Sequence, residues 1–247
     1  KDGKNQKDLT PFDKVRAGIV DDLVDNPNEM LIQMNKDNPQ VFDVFRINVN
    51  TGDMTVVGQN PGNITGWQTD HNGKLRIAIT TDGVNQSVLY RDSEEQEFKP
   101  LLTTTFKETF APLFFTFDNK NLYVSSNIGR DKASIVEYDI ANKKEIKVLY
   151  ENPDYDVNGL SYSRKRKVIE FANYTGWKQE YHFFDKETKD IYNDITSKLP
   201  GKELFVTGIN KNEDKLLVRT YSDKSLGSFY FYNVTTKELG KLIDVSP

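Results

Sequence analysis

One four-strand word returns five times along this chain, and it restricts the fold more than any other feature. Its clearest copy runs "PLFFTF", the turn Asp118-Asn119-Lys120, "NLYVSS", the loop "NIGRDK", "ASIVEYD" and, after "IANKK", "EIKVLY". The residue just before each apolar second strand is Glu29, Lys74, Asn121, Lys167 and Lys215, giving spacings of 45, 47, 46 and 48. A second landmark, the entry to the hairpin after each third strand, falls at Asn48, Asp92, Asp139, Asp185 and Asn233, spaced 44, 47, 46 and 48. Units of about 40–50 residues that carry four short strands are blades of a β-propeller. A β-sandwich also spaces its strands evenly, but it does not repeat a four-strand word in phase. The fold class read from the sequence is therefore all-β, a propeller with five four-stranded antiparallel blades.

The strands are written in period-two alternation, and Asn, Gly, Asp and Lys fill the turns between them. Helical periodicity is weak throughout. Hydrophobic residues make up 36% of the chain and aromatic ones 12%, with 15 Phe and 12 Tyr, a balance that suits sheets with one wet face. Tyr138, Phe184 and Tyr232 stand beside the hairpin landmark and are expected to pack between neighbouring blades.

The blades are expected at about 12–60, 61–107, 108–154, 155–200 and 201–247. Residues 1–11 match the end of a blade: Gly3 aligns with Gly52, which makes Asn5 to Leu9 an outermost fourth strand. Since "KELGKLI" already supplies the last blade with one, the opening strand is surplus. The expectation is a fragment of a seven- or eight-bladed propeller.

Chemistry is sparse. With no Cys there is no thiolate metal site and no cysteine nucleophile. Around Ser161 the chain reads Gly159-Leu160-Ser161-Tyr162-Ser163, which lacks the closing Gly of a nucleophile elbow. Of the two histidines, His71 lies in the "DHNGK" turn and His182 in a predicted strand, and neither has an evident nucleophile beside it. Asp21-Asp22, Glu94-Glu95 and Asp154/Asp156 lie near turns, where solvated carboxylates are the ordinary finding; "NPDYD" lacks the spacing of a calcium loop. The net charge of −4, with acids and bases interleaved, gives no nucleic-acid stripe. No run of 18 apolar residues exists to span a bilayer. No catalytic, cofactor-binding or metal-ligating residue is assigned.

The loops joining second to third strands ("NKDNPQ", "TTDGVNQ", "SNIGRDK", "NYTGWKQ", "SDKSLGS") are longer and more varied than most of the first-to-second turns. Function gathers on variable loops over a rigid scaffold. Arg130, Asp131, Trp177, Asp223 and Lys224 are therefore the candidate residues for contact with a partner domain or substrate.

The words "KDLTPFDKVRAGIVDDL", "NPGNITGW", "FFTFDNKNLYVSSNIGRDK", "LSYSRKRKV" and "RTYSDKSLGSFY" resemble the propeller of bacterial prolyl-oligopeptidase-family serine peptidases, in the acylaminoacyl-peptidase and dipeptidyl-aminopeptidase-like branch. The resemblance runs over essentially the whole chain. It implies a non-catalytic propeller that restricts which peptides reach the Ser-Asp-His triad of a C-terminal α/β-hydrolase domain. That domain is not in this sequence, so no catalytic residue carries over. The implied partners are that hydrolase domain and its peptide substrates. Self-association through exposed blade faces is a further expectation, and the compartment stays open between bacterial cytoplasm and periplasm. A free-standing scaffold for protein–protein contacts is the alternative. A five-bladed glycosidase is a third reading, but the innermost strands offer only Asp21, Asp22 and Asp70, clustered in two blades.

Overall fold

The computed structural model describes Lys4 and residues 6–246. The first sheet holds β1 (Ala17–Asp21), β2 (Glu29–Met34), β3 (Asp43–Asn48) and β4 (Met54–Gly58). The second holds β5 (Ile64–Thr69), β6 (Leu75–Thr81), β7 (Asn85–Tyr90) and β8 (Lys99–Thr105). The third holds β9 (Phe110–Phe115), β10 (Asn121–Ser126), β11 (Ser134–Asp139) and β12 (Lys144–Tyr150). The fourth has β13 (Val157–Ser163), β14 (Val168–Thr175) and β15 (Gln179–Phe183), followed by helix α1 (Lys186–Lys198). The fifth holds β16 (Glu203–Ile209), β17 (Lys215–Tyr221), β18 (Ser228–Asn233) and β19 (Leu239–Asp244). Within every sheet the strands pair in chain order, which is the meander of a propeller blade.

The repeat is visible in backbone detail. Each connection from first to second strand contains one residue in the left-handed region: Leu23, Gly73, Asn119, Lys167 and Glu213, with φ of 47°, 70°, 58°, 53° and 57°. The first strand also carries a bulge in four of the sheets, at Ile19/Asp21, Ile64/Gly66, Val157/Gly159 and Val206/Gly208. An inserted residue bends the strand and raises its local twist. At Gly159 an added Cβ would lie 2.1 Å from Asn173 Oδ1, so any larger residue would displace the Asn173 side chain.

The fourth sheet departs from the four-strand expectation: its last strand is replaced by α1. Asp185, the hairpin landmark of the sequence reading, is an N-cap here, with φ −104° and ψ 125°. Its carboxylate accepts from the Thr188 N–H at 2.9 Å and from Arg166 Nη1 at 2.7 Å. A capped end satisfies an orphan donor of the first turn and favours a helix over a hairpin. Ile191, Tyr192, Ile195 and Leu199 then recur at helical spacing rather than alternating. Ion pairs at i,i+4 join Lys186 to Asp190 and Asp194 to Lys198.

A strand at Asn5 to Leu9 is likewise not found among the described residues. Asn5 lies outside them, and Gln6–Leu9 is not extended into a ladder. Asp8 accepts from the Thr10 N–H at 2.8 Å, and the Phe12 N–H donates to Thr10 O at 2.7 Å. Pro11, between them, has no donor, so the stretch turns instead of pairing.

The chain divides into two compact units, 1–124 with 137–146, and 125–136 with 147–247. In the first, Leu31 and Val44 of the first sheet meet Leu75 and Trp67 of the second. The opposite face of the first sheet, with Ile32, Met34, Phe45 and Ile47, is covered by Leu9, Phe12 and Val15. In the second unit, Ile195 and Leu199 of α1 join Leu204, Leu216, Val218, Tyr230 and Tyr232 of the fifth sheet. Each such buried side chain contributes about 1.5–3 kcal/mol. On the fourth sheet Tyr192 packs against Phe171, Tyr181 and Phe183, with ring centroids 5.2–5.4 Å away.

Tyr138 and Tyr232 are buried as expected, Tyr138 edge-on to Phe110 at 4.8 Å. Phe184 is not. It is 39% exposed and touches His182 edge-on at 5.0 Å. The chain leaves β15 for the helix at that point, so Phe184 never enters the register its counterparts occupy.

Candidate functional site

The five residues singled out by the sequence lie on three loops of the second unit. In the third sheet's loop, the Arg130 N–H closes a turn on Asn127 O at 3.0 Å, and its Nη1 donates to Ser126 O at 3.2 Å. Asp131 projects into solvent and pairs with Lys132 at 3.3 Å. The base of this loop is fixed to the next sheet. The Ala133 N–H donates to Asp156 Oδ1 at 2.7 Å, and the Val157 N–H donates to Ala133 O at 2.8 Å. In the fifth sheet, Asp223 and Lys224 are exposed at the tip of a turn closed by paired Ser222 and Ser225. Gly227, with φ 84°, ends that turn, and a Cβ there would lie 1.5 Å from Thr220 O.

Trp177 sits at the tip of the β14–β15 hairpin and is 94% exposed. Behind it lies a continuous aromatic array that the sequence reading missed. Tyr174 stacks on Tyr155 at 5.8 Å and on Tyr150 at 6.2 Å. Tyr150 in turn stacks on His182 at 4.1 Å, with the planes 15° apart. The Tyr174 hydroxyl donates to Glu180 Oε2 at 3.0 Å. Burial, that hydrogen bond and the neighbouring Tyr150 push the Tyr174 phenol up to about 12. Gly176 keeps the array close-packed: a Cβ there would lie 3.0 Å from Glu180 and 3.2 Å from Tyr155. The signal available in sequence was the pair of aromatic loop words, "NPDYD" and "NYTGWKQ", which no periodicity joins.

The first unit offers a different kind of site, a cavity of about 670 Å³. Arg76, Tyr90, Lys99, Asn119, Asp139 and Lys143 are among its walls, so it opens on the turn and hairpin ends rather than on the longer loops. Its arginines are structural. Arg76 lies between the rings of Tyr90 and Phe115, at 5.1 and 4.9 Å, and binds Asp70 at 3.3 Å. Arg91 donates to the carbonyls of Leu75, Glu94, Gln96 and Val57. Asp70 is thus spent on Arg76, and Asp21 accepts from the Leu23 N–H and from Thr69. These are the acids a glycosidase reading would need.

Among the described residues no nucleophile–base pair emerges either. The Ser161 hydroxyl donates to Glu170 at 2.9 Å, while His71 pairs its Nε2 with Phe115 O at 2.8 Å. Among the described residues, no group of three or more His, Asp or Glu side chains is placed to hold a metal ion.

With this geometry in view, the likeness to known proteins is informative. The chain is 26% identical to dipeptidyl aminopeptidase BIII of Pseudoxanthomonas mexicana over 98% of its own length. It spans only 35% of that relative. In fold it matches a puromycin-hydrolyzing peptidase of Mycobacterium tuberculosis, with TM-score 0.59, 12% identity, and coverage of 94% of this chain and 38% of that one. It also matches prolyl oligopeptidase B of Galerina marginata, with TM-score 0.54, 11% identity, and coverage of 88% and 32%. No family model matches the chain. The solved structures show the fold, a β-propeller, and the relative supplies the sequence likeness: nearly the whole chain is similar to about a third of a dipeptidyl aminopeptidase.

Proposed function

We propose that this propeller is a non-catalytic gate, screening peptides for an α/β-hydrolase domain carried on the same polypeptide. The observation that carries the reading is the match along 98% of the chain to about a third of a dipeptidyl aminopeptidase, a relative long enough to hold a separate hydrolase domain. Acyl transfer needs a nucleophile, a base and an oxyanion hole in one constellation. Ser161, His71 and His182 each have other partners, which supports placing that chemistry elsewhere. Arg130, Asp131, Trp177, Asp223 and Lys224 are the proposed surface toward substrate or hydrolase domain. The fifth sheet exposes Phe231, Leu242 and Ile243, at 38%, 59% and 64%, which favours self-association of this segment on its own.

The test compares the propeller-bearing peptidase with the same enzyme lacking this segment. Both are assayed on a chromogenic dipeptide substrate and on a folded protein. The intact enzyme is expected to cleave the dipeptide and spare the folded protein, and removing the propeller should narrow that difference. An unchanged ratio of the two rates would refute a gate.

A further inference from the structure

We propose that the surface formed by Trp177, Tyr174, Tyr155 and Glu180 binds the cationic side chains of peptides, arginine or lysine. The inference rests on the gating reading and names the chemistry that one loop of it selects.

Trp177 is the starting point. An indole 94% in water forgoes the burial that makes this residue stabilising, and such rings mark contact surfaces. The hairpin carrying it is firmly built: Gly176 N–H donates to Lys178 O at 3.0 Å, and Tyr174 pairs with Glu180 in the ladder. The indole is therefore presented on a rigid support.

Its surroundings favour a cation. The stacked rings of Tyr155 and Tyr174, 18° from parallel, offer electron-rich faces, and Tyr155 is 40% exposed. The Glu180 carboxylate sits at their edge, oriented by the Tyr174 hydroxyl. Tyr150 and Tyr155 both stack on Tyr174, and the short segment between them carries two exposed acids, Glu151 and Asp154. Lys178, the residue after Trp177, has its ammonium 3.9 Å from Glu203 of the fifth sheet. Aromatic faces rimmed by carboxylates attract guanidinium and ammonium groups, and Arg in particular stacks while it pairs. An acidic ligand would be repelled, and an aliphatic one would desolvate Glu180 without pairing it.

The test uses the chain itself, with no hydrolase domain, so its outcome is separate from that of the gating experiment. Three acetylated, amidated hexapeptides differ at one central position: arginine, norleucine or glutamate. Binding is read by calorimetry and by tryptophan emission, with Trp67, packed between the first two sheets, as the constant background. The arginine peptide is expected to bind about tenfold more tightly than the glutamate peptide and to shift Trp177 emission. Trp177→Ala and Glu180→Gln should each weaken the arginine peptide by about tenfold, with circular dichroism unchanged. Equal affinity for the three peptides, no binding of the arginine peptide, or wild-type affinity in Trp177→Ala would each overturn the inference.

Discussion

Glu213 accepts a hydrogen bond from the backbone N–H of Lys165, 48 residues earlier, at 3.1 Å. Its second oxygen accepts from the Ser163 hydroxyl. The same latch joins Asn119 Oδ1 to the His71 N–H at 3.0 Å, again 48 residues apart. Both acceptors occupy the left-handed position of their turns. The repeat thus carries more than strands: in these two turns a side chain at the left-handed position ties the turn to the one a blade before.

Removing the latch leaves the Lys165 N–H and the Ser163 hydroxyl without their partner. Glu213→Ala should destabilise the chain by about 1–3 kcal/mol, and Glu213→Gln, which keeps an acceptor, by less. Urea unfolding of the three proteins checks the order. Equal loss in Gln and Ala would mean the charge or the turn, not the hydrogen bond, matters.

Burial separates two aromatics that the repeat treats as equivalent. Tyr232 is 1% exposed, inside the core shared with α1, whereas Phe184 is 39% exposed. Tyr232→Ala should cost about 3–5 kcal/mol, as for other buried aromatics, and Phe184→Ala about 1 kcal/mol or less. Calorimetric melting of both variants tests the assignment of the helix to the fourth sheet, since a fourth strand there would have buried Phe184.

Alkaline pH should destabilise the protein above the range in which exposed tyrosines titrate. Burial first, then neighbouring acids or phenols, pushes Tyr90, Tyr174 and Tyr181 up to about 12, with Arg76 partly offsetting the rise at Tyr90. Tyr192 and Tyr232 are raised further, again by burial first. For a raised pKa the stabilisation is complete below the unfolded value near 10 and is lost as pH climbs through the folded value. Melting temperature should therefore hold to about pH 10 and fall between about 10 and 12. Phenolate absorbance should appear in two phases, the second coincident with loss of structure. A single phase centred near 10 would contradict the packing of these rings.

The strands and their period were legible because both signals are local: alternation along a few residues, and Asn, Asp or Gly at the turns. The helix was not, because Asp185 fits a hairpin entry and an N-cap equally well by type. The choice was decided by Thr188, Arg166 and the stripe from Ile191 to Leu199 meeting the fifth sheet. Leu9 misled for a similar reason, since its role is to cover the first sheet rather than to pair in one. Of the candidate loop residues, Trp177 could be named from sequence, but its support could not. Tyr150, Tyr155, Tyr174 and Glu180 come from one loop and three strands that only the fold assembles.

A gate of the proposed kind leaves all chemistry to another domain, and one assay addresses that directly. The purified chain is incubated with chromogenic acyl-amino-acid and dipeptide substrates, and separately with a serine-directed fluorophosphonate probe. No turnover and no labelling are expected from the chain alone, with activity appearing only in a longer polypeptide that adds a hydrolase domain. Robust turnover by the chain, or stoichiometric labelling of any of its serines, would contradict the reading of a gate without a catalytic centre.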